Sequence, residues 1–219
     1  MNKYEMLQDD KIEVSGHILY RIKALKDFSD VRVGDLGGYI ERKENLSQKG
    51  NCWVYNNACV FGNARVYDNA YVRDNARVYN NAYVRDNTYV RDNARVYNNA
   101  YVRDNAYVRD NALVYEDARV YGNAHVFDNA CVCGNARVCG NAKINKISDV
   151  LCISPIGSRN GVTTFFKTKN NNIGVKCGCF TGTIDRFLEA VSETHKDNKH
   201  AKAYRLACEL AKVQIELED

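Results

Sequence analysis

A step of six residues governs this chain. From Val54 a bulky apolar residue recurs at every sixth position, through Val60, Val66 and Val72 without a break to Val138 and Ile144, and Val150 and Ile156 keep the phase. Four residues after each of these slots stands a small one: Ala58, Ala64, Ala70 and onward, replaced only by Thr88 and then by Ser148 and Ser154. A typical unit reads V-Y-D-N-A-R or V-R-D-N-A-Y. Such a period fits neither a helix nor the alternation of a flat strand. It suits a short strand followed by a corner, and a fixed hexapeptide period points to a parallel β-helix. Val supplies a β-branched wall residue facing inward, and Ala fits where the chain turns and space is tight. Asn nearly always precedes the Ala (Asn57, Asn63, Asn69, Asn75, with Asp117 the exception). Because Asn tolerates left-handed backbone, this reading puts the left-handed residue of each corner at that Asn. Three units close a triangular coil of about 18 residues, so the run supplies five to six coils stacked at about 4.8 Å.

The repeat is similar to the hexapeptide repeats of left-handed parallel β-helix proteins, many of them trimeric acyltransferases. The left hand is implied by that resemblance, since general crossover rules favour the opposite one. The stretch DFSDVRVGDLGGYIE, continuing through ENLSQKGNCWVY to Tyr55, resembles the opening of hexapeptide-repeat proteins of enterobacteria, phages and prophages that carry a transferase label drawn from their repeats. The strings CGCFTGTIDRF and THKDNKHAKAYRLACELA resemble a C-terminal module that follows such repeats in phage and prophage proteins, and no activity is implied for it.

The expected fold is therefore mainly β: a left-handed parallel β-helix over residues 51–157, an N-terminal β cap over 1–50 and a small C-terminal α+β module over 158–219. The cap is required because an open coil end is an exposed sheet edge. Lys11–Val14 and His17–Leu25 read as strands about Ser15-Gly16, and the glycines Gly34, Gly37 and Gly38 mark a turn before another. In the module, Arg159-Asn160-Gly161 is a hairpin signal, Val162–Thr168 and Ile173–Phe180 read as strands, and three strands in all are expected. Thr183 can cap a helix bearing Ile184, Phe187, Leu188 and Val191 at helical spacing. A second helix, over about 199–217, carries Tyr204, Ala207, Cys208, Ala211 and Ile215 along one side.

Stacking at an 18-residue offset lines residues up in columns. One face carries Trp53, Tyr71, Tyr89, Tyr107, His125 and Lys143, beside Arg73, Arg91 and Arg109 and then Asp74, Asp92 and Asp110. Stacked rings contribute a few tenths to about 1 kcal/mol each, Asn columns can form ladders, and the Asp column offsets repulsion between Arg neighbours of about 1 kcal/mol. These columns have a sufficient structural reason in making flat coils stack. They also make a surface, because Arg forks beside Tyr faces suit phosphates and stacked bases.

Composition narrows the partners. A net charge of +4 is mild, and Asp alternating with Arg cancels the field that extended nucleic acid would need. No apolar run approaches the roughly 20 residues that span a membrane, and the first residues lack a signal or transit pattern. The expected location is cytoplasmic. The nine Cys then read as reduced thiols. Neither Cys131, Cys133 and Cys139 nor Cys177 and Cys179 have the spacing of common zinc sites, and in the tail His195, Asp197 and His200 read as a helix entry rather than a metal site.

Hexapeptide acyltransferases use a His general base in a groove between subunits, bind acyl-coenzyme A along the coils and extrude a loop from one coil. This chain has no excursion from residue 54 to 150, and only His125 lies in the repeat. The sequence reading therefore puts first a non-catalytic protein, trimeric by resemblance and needing no cofactor. It would bind an anionic small molecule such as a nucleotide, held by Tyr71, Tyr89, Tyr107, Arg73, Arg91 and Arg109, or contact a host protein. The alternative is an acyltransferase with acyl-coenzyme A as substrate and His125 as base. A third reading is a spacer that presents the C-terminal module.

Overall fold

The computed structural model describes residues 2–218. Its centre is a parallel β-solenoid of sixteen two-residue strands, from Trp53–Val54 to Lys143–Ile144, each followed by a corner. The strands sort into three parallel sheets in which every partner lies 18 residues away, as Val90 pairs with Val72 and Val108. Backbone bonds run from coil to coil: the Tyr89 and Arg91 N–H groups donate to the Ala106 and Val108 carbonyls, both at 3.0 Å. The Val and Ala columns are fully buried, and each Val contributes roughly 1.5–3 kcal/mol of apolar burial. Thr88 occupies an Ala slot without an orphaned hydroxyl, because Oγ1 donates to the Arg85 carbonyl at 2.6 Å.

The corners correct one expectation. The left-handed residue is not the Asn before the Ala but the residue before that Asn. Positive φ angles fall at Asn56, Asp68, Asp74, Asn80, Asp86 and onward to Asp128, and at Gly62, Gly122, Gly134 and Gly140. Asn, Asp and Gly share tolerance of that region, which explains the Asp column in terms of backbone. The Asn that follows is free to use its amide, and it does: Asn63, Asn81, Asn99 and Asp117 form a ladder with bonds of 2.9–3.2 Å, on the outside of the corners rather than within. The Asp residues bond upward too, Asp104 Oδ2 accepting from the Gly122 N–H at 3.0 Å.

The N-terminal cap is built from β1 (Tyr4–Val14), β2 (His17–Ala24) and β3 (Leu36–Ile40), with β1–β2 and β2–β3 antiparallel. β3 then pairs in parallel with the Cys59–Val60 strand, so cap and solenoid share a sheet. Ile40 and Leu46, six residues apart, stand as wall residues beneath Val60 and Val66, which adds a partial coil and brings the solenoid to about six turns. The core is closed below by Trp53, whose ring meets Tyr4 and Phe28 edge-on at 6.1 and 5.3 Å.

At the other end, Val150 and Ile156 keep the six-residue phase but leave the solenoid. Val150–Ile156 is the outer strand of an antiparallel sheet completed by Gly161–Lys167, Ile173–Cys177 and Phe180–Thr183. The sheet thus has four strands rather than three, and the stretch Ile173–Phe180 divides at Gly178, whose φ of +54° makes the turn. α1 (Ile184–His195) is capped by Thr183 and α2 (Lys199–Gln214) by Asn198, and Phe165, Phe187, Tyr204 and Ala211 fill the core between sheet and helices. The sheet docks through Phe166, which joins the solenoid core, and through a 3.0 Å bond from the Arg137 N–H to Thr164 Oγ1. Among the described residues no helix is long and apolar enough to cross a membrane.

Candidate functional site

Stacking places the expected columns on one face. Tyr71, Tyr89 and Tyr107 stack with centroids 5.2 and 4.9 Å apart, and His125 continues the column at 4.9 Å, tilted by 50°. A cleft of about 290 Å³ opens at the cap end, where Tyr71, Tyr89 and Arg73 meet Tyr55 and two cap residues, Ser29 and Asp30. The cap supplies polar partners: Ser29 Oγ lies 2.9 Å from the Tyr71 hydroxyl, and the Tyr55 hydroxyl donates to Asp30 at 2.7 Å. Burial, then that bond to Asp30, pushes the Tyr55 hydroxyl well above its usual range. Tyr107, Arg91 and Arg109 continue the columns but do not line this cleft.

The Arg column is largely spoken for. Arg73, Arg91 and Arg109 lie 3.6, 3.7 and 2.6 Å from Asp74, Asp92 and Asp110, and Arg109 also covers the Phe127 ring at 4.5 Å. With Asp30 beside them, the cleft carries anionic groups as well as cationic ones.

His125 has the wrong surroundings for an oriented base. Burial lowers its pKa first, and the charges of Lys169 and Arg109 lower it further. Its sheet partners are Tyr107 and Lys143. A neutral imidazole with cationic neighbours lacks the carboxylate that would fix its tautomer and stabilise its protonated form.

A second histidine, which the sequence reading treated only as the start of a strand, has that partner. His17 opens β2 just after the Ser15-Gly16 turn, and its Nδ1 lies 3.1 Å from Glu41 Oε1. Glu41 follows β3, and its other oxygen accepts the Gly62 N–H at 2.6 Å. Burial works against ionisation of Glu41, yet the bonds from His17 and Gly62 and the Arg42 charge together hold its carboxyl below the usual range. His17 tilts over Phe61 at 5.1 Å. It borders a cleft of about 280 Å³ with Phe61, Tyr79, Arg77 and Arg95, and a second of about 560 Å³ along Arg42, Asn63, Asn81 and Asn99. No spacing rule joins residues 17 and 41; only the antiparallel pairing of β2 with β3 does.

In the tail, Arg205 reaches Asp197 at 2.5 Å and lowers its pKa, while the His195 and His200 rings lie 5.8 Å apart. No group of three metal-ligating side chains is found among the described residues. All nine cysteines are free.

Fold and repeat together place the chain among proteins built on a hexapeptide-repeat β-solenoid. No family model matches it. A 45-residue stretch, 20% of this chain, is 49% identical to the "Uncharacterized acetyltransferase YdcK" of Escherichia coli (strain K12). The match covers 14% of that protein's length.

Proposed function

We propose that the protein transfers an acyl group from an acyl-coenzyme A thioester to a small acceptor. The observation that carries this reading is the 49% identity, over 45 residues, to a protein named as an acetyltransferase, in a chain whose solenoid is the scaffold on which hexapeptide acyltransferases are built. Acyl transfer thereby moves ahead of pure binding, which the sequence alone put first. The test is release of free coenzyme A from acetyl-coenzyme A, followed by chromatography, across a panel of amino acids, hydroxy acids, amino sugars and sugar phosphates. Acceptor-dependent release is expected. A flat response with every acceptor rejects the reading.

A second reading is supported by the cleft at Tyr71, Tyr89 and Arg73: binding of a small anionic molecule such as a nucleotide, without turnover. Its stacked rings suit a base, whereas Asp30 and Asp74 oppose a phosphate. Thermal denaturation with a nucleotide panel tests it, and an upward shift abolished by Arg73→Gln is the outcome it requires.

A further inference from the structure

We propose that His17 and Glu41 form a general-base dyad, and that the cleft beside them receives an acceptor bearing an anionic group next to its hydroxyl or amine. This rests on the acyl-transfer reading and assigns its chemistry to the junction of cap and solenoid rather than to His125.

The first support is orientation. Glu41 is fixed at both oxygens, by His17 Nδ1 at 3.1 Å and by the Gly62 N–H at 2.6 Å. A bond from imidazole to carboxylate requires the proton on Nδ1, which leaves the Nε2 lone pair as acceptor. A positioned base whose far nitrogen is held by a carboxylate is the arrangement general-base catalysis uses. The His17 side chain remains 37% exposed, so a substrate can reach it.

The second support is access. Two of the three clefts at the cap end include His17 and Asn80. A transfer between two substrates needs two approaches to one base, and His17 stands where they meet.

The third is charge. Arg77 and Arg95 pair with each other's strands on adjacent coils. Where the first face has Asp74, Asp92 and Asp110 at its left-handed corners, this face has Asn80 and Asn98 beside Arg77 and Arg95, and its carboxylates, Glu116 and Asp117, come one coil further along and line only the larger cleft. The five Arg–Asp pairs of the solenoid involve Arg73, Arg85, Arg91, Arg103 and Arg109, and among the described residues Arg77 and Arg95 have no ion pair. Their uncompensated charge suits a carboxylate or phosphate, and the stacked rings of Phe61 and Tyr79, 5.0 Å apart, give the cleft an apolar wall.

In the step that follows, His17 Nε2 removes the proton from the acceptor's hydroxyl or amine as its oxygen or nitrogen bonds to the thioester carbonyl carbon. The carbon–sulfur bond breaks, and the imidazolium returns the proton to the departing thiolate. Free thiol, acylated acceptor and neutral His17 remain. Glu41 is a positioning residue here, acting through His17.

The experiment uses the full chain, acetyl-coenzyme A and the acceptor panel, with a melting curve on each variant. His17→Asn is expected to lower kcat by about 100- to 10,000-fold, and His125→Asn to leave it in place. Glu41→Gln should lower kcat by less, keep KM, and move the base limb of the kcat/KM pH profile to lower pH. Inorganic phosphate should compete with the acceptor, and Arg77→Gln should weaken that inhibition. Turnover that survives His17→Asn overturns the dyad and leaves acyl transfer standing. Failure of the unaltered protein to turn over acetyl-coenzyme A overturns both. A Glu41→Gln variant with an unmoved pH limb removes its positioning role, and phosphate that competes with acetyl-coenzyme A instead assigns the Arg pair to the donor and overturns the anionic acceptor.

Discussion

Asp104 gives a direct test of how the corners work. Its φ is +65°, its Oδ2 accepts the Gly122 N–H at 3.0 Å, and its Oδ1 accepts from Arg103 at 3.0 Å. Asp104→Gly keeps the backbone unstrained but loses a hydrogen bond of about 1 kcal/mol and a half-exposed ion pair of about 0–1 kcal/mol. Asp104→Ala loses the same and adds about 1–2 kcal/mol for left-handed backbone, less roughly 0.5–1 kcal/mol of the unfolded-state entropy that Gly would carry. The Ala variant should therefore be less stable than the Gly variant by about 1 kcal/mol, or about 2–4 °C in Tm for a chain of this size. One residue on, Asn105 has no positive φ and ladders to Asn87 and Asn123 at 3.1 and 3.3 Å. There the order should reverse, with Asn105→Gly worse than Asn105→Ala. Urea titrations followed by far-ultraviolet circular dichroism measure all four. Equal stability of the two Asp104 variants, or the same order at both positions, would refute the corner assignment.

Further outcomes follow from burial. Val96 is fully buried, so Val96→Ala should cost about 2 kcal/mol in the same titration. Thr88→Ala replaces the odd member of the Ala column and removes both a buried hydroxyl and its bond to Arg85. It should change stability by less than about 1 kcal/mol. Burial pushes the Cys208 thiol up to about 11, from 9.0. Its folded pKa lies above the unfolded one, so its contribution is complete below pH 9 and is lost as pH rises toward 11. Cys208→Ala should flatten that part of the stability profile, measured by urea titration at stepped pH.

The solenoid was legible because its constraint is local and repeated: one bulky and one small residue per six, with neighbours supplied by identical units. The corner was misplaced because two adjacent positions both hold turn-forming residues. The discriminating signal was present, since Gly62, Gly122, Gly134 and Gly140 replace the first of the two and glycine never replaces the second. The partial coil at Ile40 and Leu46 escaped notice because the next wall residue, Val54, comes eight residues later and breaks the phase. Val150–Ile156 misled in the other direction, by keeping a rhythm that the antiparallel partner Gly161–Lys167 overrides. The turn at Gly178 was hidden in an apolar stretch of strand formers. The Tyr, Arg and Asp columns could be written down from the 18-residue offset, but not the intrusion of Ser29 and Asp30 beside Tyr71. His17 and Glu41 were out of reach altogether, because strand register in the cap brings them together.

The unbroken register also sets what insertions and deletions do to this molecule. Gain or loss of 18 residues adds or removes one whole coil, moving the C-terminal sheet along the axis by about 4.8 Å while leaving it on the same side. Gain or loss of six advances the chain by one face, so everything beyond it turns by a third of a revolution. The number of six-residue units thus sets both the distance and the azimuth between the His17 end and the terminal helices, and only changes in multiples of three alter the distance while leaving the azimuth as it was.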